Sequence, residues 1–175
     1  GGQLGSMLSM AAKKLNIKTT IYCDDENAPA KNFCDEFIFG AYKDKEKILE
    51  FIKKVEIITY EFENIPFETL NEMNKLKTVL PKPSVNRLIQ HRLAEKDFIN
   101  KLNIRTTRYV SVEKKSDIET LQDFLPGILK TTTMGYDGKG QYPINKIEDL
   151  DLIDIDFSKG YILEKLVKLK KEISV

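Results

Sequence analysis

The chain has 175 residues, with 28 Lys plus Arg against 27 Asp plus Glu, so its formal charge is +1 and no strong field draws it to nucleic acid or anionic lipid. Hydrophobic residues make up 41% and charged residues 31%, a mixture that argues against wholesale disorder and against a fibrous protein. No apolar run approaches the roughly 20 residues that span a bilayer, and no leader opens the sequence, so no membrane partner and a cytoplasmic location are expected.

Leu4, Met7, Leu8, Ala11, Ala12 and Leu15 recur at helical spacing, which predicts a helix starting directly after Gly1, Gly2 and Gln3. The β-branched run Thr19–Tyr22, the apolar stretch Phe37–Phe39 and the strand Ile57–Tyr60 alternate with a helix from about Asp44 carrying Ile48, Phe51, Ile52 and Val55. Strands alternating with helices predict parallel crossovers, hence an open parallel α/β sheet whose ligands collect at the carboxyl ends of its strands. The strand that should precede Gly1 is missing. Pro81 and Pro83 interrupt the pattern and place a domain boundary between residues 83 and 84.

From Ser84 a polar helical stretch is predicted through Gln90 to about Leu102, then a strand at Thr107–Val110. Ser116 to Glu119 reads as a capping box opening a helix that ends near Phe124. Ile128–Thr131 and Gln141–Ile144 read as strands around a loop, and Tyr161–Val167 and Lys171–Val175 as two more. Both chain ends are expected to be cut, because Gly1 is not Met and the last residues read as mid-strand. Cys23 and Cys34 form no CxxC pair, and with the single His91 they make a zinc site improbable.

Residues 130–141, KTTTMGYDGKGQ, place three glycines and two lysines between strands. Glycines let backbone amides approach an anion and lysine supplies a point charge, so the segment can cover a phosphate; it can equally be a hairpin tip turning at Asp137 and Gly138. Residues 60–64, YEFEN, bring Glu61, Glu63 and Asn64 to the end of a buried strand, where they meet a ligand or, alternatively, Glu63 and Asn64 merely cap the helix after Pro66. The glycines at the first helix can bind a phosphate through free amides. Glu164 and Glu172 lie within apolar strands and face either a pocket or solvent.

Together GGQLG at 1–5, YEFEN, QHR at 90–92, ILK at 128–130, GYDGKGQ at 135–141, ILEK at 162–165 and EISV at 172–175 resemble the 5-(carboxyamino)imidazole ribonucleotide synthase family of ATP-grasp ligases. The resemblance spans the whole chain. It implies a Rossmann-like pre-ATP-grasp domain (1–83) and an incomplete α+β ATP-grasp domain (84–175). It implies ATP-dependent carboxylation of 5-aminoimidazole ribonucleotide with bicarbonate, through carboxyphosphate, in purine synthesis by a homodimer. By resemblance Arg92 and Lys130 contact the nucleotide phosphates under a cover of Gly135, Tyr136, Asp137, Gly138, Lys139, Gly140 and Gln141. Glu164, Lys165, Leu166 and Val167 form the adenine stretch, and Glu172 takes the ribose. Asp137 and Lys139 are the catalytic candidates; Gly2, Gln3, Leu4 and Glu63 are the aminoimidazole nucleotide's. The magnesium ligands are expected beyond Val175, so this chain alone is expected to be inactive. The alternatives are an ATP-grasp ligase of the glycinamide ribonucleotide transformylase or biotin carboxylase type, and a non-catalytic nucleotide-binding module.

Overall fold

The computed structural model describes residues 1–135 and 140–173. It divides into two compact units, Gly1–Arg87 and Leu88–Val175.

In the first unit, α1 (Gln3–Lys14) forms where the apolar spacing puts it, but the stripe that predicts it is not the face it buries. Gly5, Ser6 and Ser9 are buried, whereas Leu4, Met7, Leu8 and Leu15 are 50–71% exposed. Small residues are needed there because the helix lies close to the turn Pro29–Asn32: a Cβ on Gly5 would sit 3.4 Å from the Cβ of fully buried Ala30. β1 (Thr20–Cys23) pairs in parallel with β2 (Glu36–Phe39). α2 (Lys45–Lys53) starts at Asp44, whose carboxylate accepts from the Lys47 amide at 3.1 Å, and buries Ile48, Phe51 and Ile52 at helical spacing.

β3 (Ile57–Thr59) pairs in parallel with β4 (Thr78–Leu80) across α3 (Phe67–Leu76). The core joins Ile38, Ile58 and Val79 of the strands to Leu70 and Met73 of α3 and the buried face of α2. The expected open parallel sheet is therefore present as two parallel pairs. Among the described residues no strand lies along the other edge of β1 or of β3.

α4 (Pro83–Ile89) and α5 (Arg92–Lys101) replace the single helical stretch expected from Ser84 to Leu102. The break is at His91, whose backbone is extended and whose Nδ1 accepts from the Ala94 amide at 3.4 Å, so the helix restarts with Arg92 in its first turn.

The second unit is built on an antiparallel sheet of order β5-β8-β6-β7: β5 (Tyr109–Val112), β6 (Gly127–Thr131), β7 (Gln141–Ile144) and β8 (Tyr161–Lys165). Strand alternation gives the sheet two unlike faces. One carries Val112, Leu129, Ile144, Tyr161 and Leu163 into a core closed by Ile118, Phe124 and Leu150. On the other, Tyr109, Glu164 and Ile128 stand in one cross-strand row and Ser111, Ile162 and Lys130 in the next.

Several expectations fail in this unit, among them the strand expected at Thr107–Val110, which lies at Tyr109–Val112. The cap of α6 (Lys115–Glu119) is Asp117, whose Oδ2 accepts from the Glu113 and Lys114 amides at 2.9 and 3.0 Å. The helix thus begins before Ser116, where the Asp117 carboxylate takes the amides just ahead of it, and stops at Glu119, well short of Phe124. The strand expected from Lys171 is absent over Lys171–Ile173, which are exposed and unpaired with any described strand; residues 174 and 175 lie outside the described residues. β8 likewise ends at Lys165 rather than Val167.

Candidate functional site

In the second unit, the polar face of the sheet carries a buried charge cluster. Glu164 is only 6% exposed, on a strand whose first four residues are all buried. Its register opposite Ile128 makes it the diagonal neighbour of Lys130 on the same face, within reach of a long side chain. Lys130 Nζ bonds Glu164 Oε2 at 2.8 Å, and Lys96 Nζ, arriving from α5, pairs with Oε1 at 3.1 Å. Both lysine side chains are about five-sixths buried. Burial pushes the Glu164 carboxyl up, but the hydrogen bonds and charges of Lys130 and Lys96 outweigh it and hold the group below the usual carboxylate range.

The α5 helix is aimed by the same face: Tyr109 donates its hydroxyl to Asp97 at 2.6 Å and accepts from Asn100 at 3.0 Å, while the Lys96 ammonium lies 5.4 Å over its ring. Two ammonium groups thus flank one carboxylate, leaving an excess positive charge at a desolvated site. An anion arriving there gains far more than it would at a solvated lysine. Each ammonium has three donors, so engaging Glu164 leaves the others for a ligand.

Arg92 is placed differently from the expectation of a free phosphate ligand. Its Nε donates to the Thr131 carbonyl at 3.1 Å and its Nη2 to the Gly135 carbonyl at 2.9 Å, and its amide bonds Thr132 O at 2.8 Å. It therefore fixes the start of the glycine-rich loop. The far end is fixed by Thr131 N–H to Gly140 O at 2.9 Å. Gly140 has φ +67°, and a Cβ there would fall 2.6 Å from Thr131 Oγ1, so this anchor needs glycine. Gln141 opens β7 opposite Lys130. The catalytic candidates Asp137 and Lys139, with Tyr136 and Gly138, lie outside the described residues.

In the Glu164–Val167 stretch most backbone groups are occupied. Lys165 N–H bonds Arg108 O at 2.9 Å, Leu166 N–H bonds Pro126 O at 3.0 Å, and Lys165 O accepts from Thr107 Oγ1 at 2.9 Å. The Lys165 ammonium is bound to the carbonyls of Asp123 and Leu125 at 2.9 and 2.7 Å, on the core side of the sheet. Leu166 and Val167 are exposed, and Glu172 is exposed outside any element. Sequence reasoning gives Lys96 no role; its signal is its position four residues after Arg92, one turn along the same face of α5.

In the first unit, Gly2 is the N-cap of α1, with Gln3 and Leu4 in its exposed first turn. A Cβ on Gly2 would meet nothing, whereas one on Gly1 would fall 2.3 Å from Cys23 Sγ. The carboxylate beside this loop is that of Glu61, with Oε1 3.3 Å from the Gly1 amino group. Glu63, the expected residue, is exposed, and its carbonyl accepts from buried Asn86 Nδ2 at 2.8 Å. Among the described residues no group of three or more His, Cys, Asp or Glu is placed to hold a metal, and no helix is long and apolar enough to cross a membrane.

A parallel α/β unit, followed by an antiparallel sheet whose polar face holds Lys130 and Glu164 with Lys96 of α5 against them, and a glycine-rich connection between β6 and β7, defines the pre-ATP-grasp and ATP-grasp class. The ribonucleotide synthetase preATP-grasp domain model matches residues 1–90 and the ATP-grasp domain model residues 97–175. The chain belongs to the ribonucleotide synthetase preATP-grasp family. It is 36% identical over 178 residues to the N5-carboxyaminoimidazole ribonucleotide synthase of Aquifex aeolicus, covering 99% of this chain and 47% of that protein. The Staphylococcus aureus N5-carboxyaminoimidazole synthetase complexed with ADP superimposes with a TM-score of 0.89 at 32% identity, over 97% of this chain and 46% of that one. The Aspergillus clavatus synthase in complex with ADP and 5-aminoimidazole ribonucleotide gives 0.82 at 25% identity, with the same coverage of 97% and 46%. The chain spans about half the length of the curated synthases it matches.

Proposed function

We propose that this chain is the pre-ATP-grasp domain and the first part of the ATP-grasp domain of an N5-carboxyaminoimidazole ribonucleotide synthase. The whole protein would carboxylate 5-aminoimidazole ribonucleotide with bicarbonate at the expense of ATP. The observation that carries the reading is the Lys96–Glu164–Lys130 cluster, standing where β6 runs into the glycine-rich loop. Relatives solved with ADP, and with ADP and 5-aminoimidazole ribonucleotide, support it.

Bicarbonate is a poor electrophile because hydroxide is a poor leaving group. Transfer of the γ-phosphoryl group to a bicarbonate oxygen gives carboxyphosphate and ADP. The exocyclic amine then attacks the carboxyl carbon, a proton leaves the nitrogen, and the C–O bond to phosphate breaks. The protein's part is positioning and charge neutralisation. Lys130 and Lys96 would neutralise the nucleotide's phosphates, and Glu164 holds both ammonium groups in place. Arg92 would set the loop over the phosphates, with its remaining guanidinium donors turned to them, and Gln141 would line the site.

The Val167 amide would donate to adenine, since the Lys165 and Leu166 amides are already bonded. Glu172 would take the ribose hydroxyls. Asp137 would orient the substrate amine or receive its proton, with Lys139 beside the transferring group. Gly2, Gln3 and Leu4 would bind the aminoimidazole nucleotide through the start of α1, with Glu63 nearby. Magnesium would supply further neutralisation of the phosphate charge; among the described residues no cluster of carboxylates would hold it. The protein would act in the cytoplasm as a homodimer.

The test is incorporation of labelled bicarbonate into 5-aminoimidazole ribonucleotide by the full-length protein with ATP. ADP formation that depends on the aminoimidazole nucleotide is the expected result; ADP formation that depends instead on glycinamide ribonucleotide or biotin would overturn the reading.

A further inference from the structure

In the first unit, the buried positions of α4 are Pro83 and Asn86. Asn86 is fully buried, at 0% exposure. Its Nδ2 donates to the Glu63 carbonyl at 2.8 Å, while its Oδ1, equally shut off from water, accepts from no described residue. A buried carboxamide oxygen without a donor is costly, and a leucine of the same outline would fill the position without that cost. The bond that Asn86 does make is therefore the reason for a polar side chain there.

The bonded carbonyl belongs to the connection between β3 and α3. The Tyr60 hydroxyl, at the start of that connection, is also buried without a partner and lies beside the Asn86 backbone amide: burial pushes its pKa up, and the amide opposes the shift. Asn86 thus meets both ends of the span Tyr60–Glu63. Arg87, the next residue of α4, lays its guanidinium 5.0 Å over the ring of Phe67, the first residue of α3. α4 braces the connection on both sides of Pro66. Between the braced points, Glu61 brings its carboxylate to the first turn of α1, where a Cβ on Gly5 would fall 3.4 Å from its Oε1.

We propose that Asn86 is a positioning residue for the aminoimidazole nucleotide: by holding the Glu63 carbonyl it fixes the connection that carries Glu61 and Glu63, and so sets the affinity for that substrate. Being fully buried, it does not meet the substrate itself. The inference rests on the function proposed above for this end of the parallel strands.

The experiment compares the full-length protein with Asn86→Leu, and with Asn86→Ala as a smaller replacement should the branched side chain fail to fit. In either variant the KM for 5-aminoimidazole ribonucleotide should rise about three- to tenfold, the scale of one hydrogen bond's net contribution, with the KM for ATP within about twofold of the parent's. The urea midpoint of Asn86→Leu should match or exceed the parent's, because the orphaned oxygen leaves together with the bond. A glutamate-specific protease should cut after Glu63 several times faster in the variants, while its rate after Glu26, exposed in another loop, stays the same. That digestion needs no substrate: faster cutting in variants of a protein whose parent forms no ADP with the aminoimidazole nucleotide would uphold the brace and overturn the function proposed above. In an active protein, an unchanged KM for the aminoimidazole nucleotide or unchanged cutting after Glu63 would overturn the positioning role. So would equal rises in both KM values with a lowered urea midpoint, the mark of a residue that only supports the fold.

Discussion

Replacing Glu164 by Gln tests whether the charge cluster holds the grasp sheet together. The substitution keeps the side chain's shape and removes its charge. Each ion pair, at 2.8 and 3.1 Å, contributes a gross attraction of about 5–6 kcal/mol at an effective dielectric of 20. Desolvation of the three ions cancels much of that, and removing one partner of a buried pair costs a net ~3–5 kcal/mol because the remaining charge is left uncompensated. Here two ammonium groups are left facing each other, so the upper half of that range is expected. At roughly 2–4 °C per kcal/mol for a chain of this size, the melting temperature should fall by about 8–20 °C. The assay is urea unfolding of the parent chain, Glu164→Gln, Lys130→Met and the double variant. The double variant should be more stable than the sum of the single losses predicts, since it has one fewer orphaned charge. A loss below about 0.5 kcal/mol for Glu164→Gln, with additive behaviour in the double variant, would refute the reasoning, because that is the signature of a solvated surface pair.

The same carboxylate makes a pH prediction. Its folded pKa lies below its unfolded value, so its stabilisation is present above about pH 4.3 and lost as pH falls through the depressed folded value. The parent chain should lose more stability than Glu164→Gln between pH 5 and 3 in urea titrations; parallel curves would contradict this. Gly140→Ala should destabilise by about 1–2 kcal/mol from the positive φ alone, with the Thr131 contact adding to it, and an unchanged urea midpoint would remove the anchor assigned to Gly140. Lys165→Met should cost about 2 kcal/mol of stability through its two carbonyl bonds while leaving nucleotide affinity of the full protein nearly unchanged; the opposite pattern would place its ammonium on the ligand. Asp117→Ala should cost about 1 kcal/mol by freeing two amides ahead of α6, read from the same unfolding curves.

The sequence made legible what depends on local periodicity. The helices over Gln3–Lys14 and Lys45–Lys53, and the strands around Ile58, Leu129 and Leu163, follow from spacing alone, although Leu15 and Val55 fall just past the ends of their helices. Which face of α1 is buried did not, because close approach to Ala30 selects Gly5, Ser6 and Ser9 over the larger apolar stripe. The break at His91 and the cap at Asp117 turned on single side-chain bonds that compete with residues of similar propensity. Glu164 was visible as a charged residue in an apolar strand, but its partners were not. Lys130 is a neighbour only through the β6–β8 register and Lys96 only through the docking of α5, both of which are tertiary. Glu61 and Glu63 lie two apart near a strand end, and spacing could not say which one turns toward the glycine loop.

The most direct test of the account is a crystal structure of the full-length protein with ADP bound. The account predicts the diphosphate within hydrogen-bonding distance of the Lys130 ammonium, with Lys96 alongside, and the adenine edge against the Val167 amide. A nucleotide bound elsewhere, with Lys130 and Lys96 still engaged solely with Glu164, would contradict it.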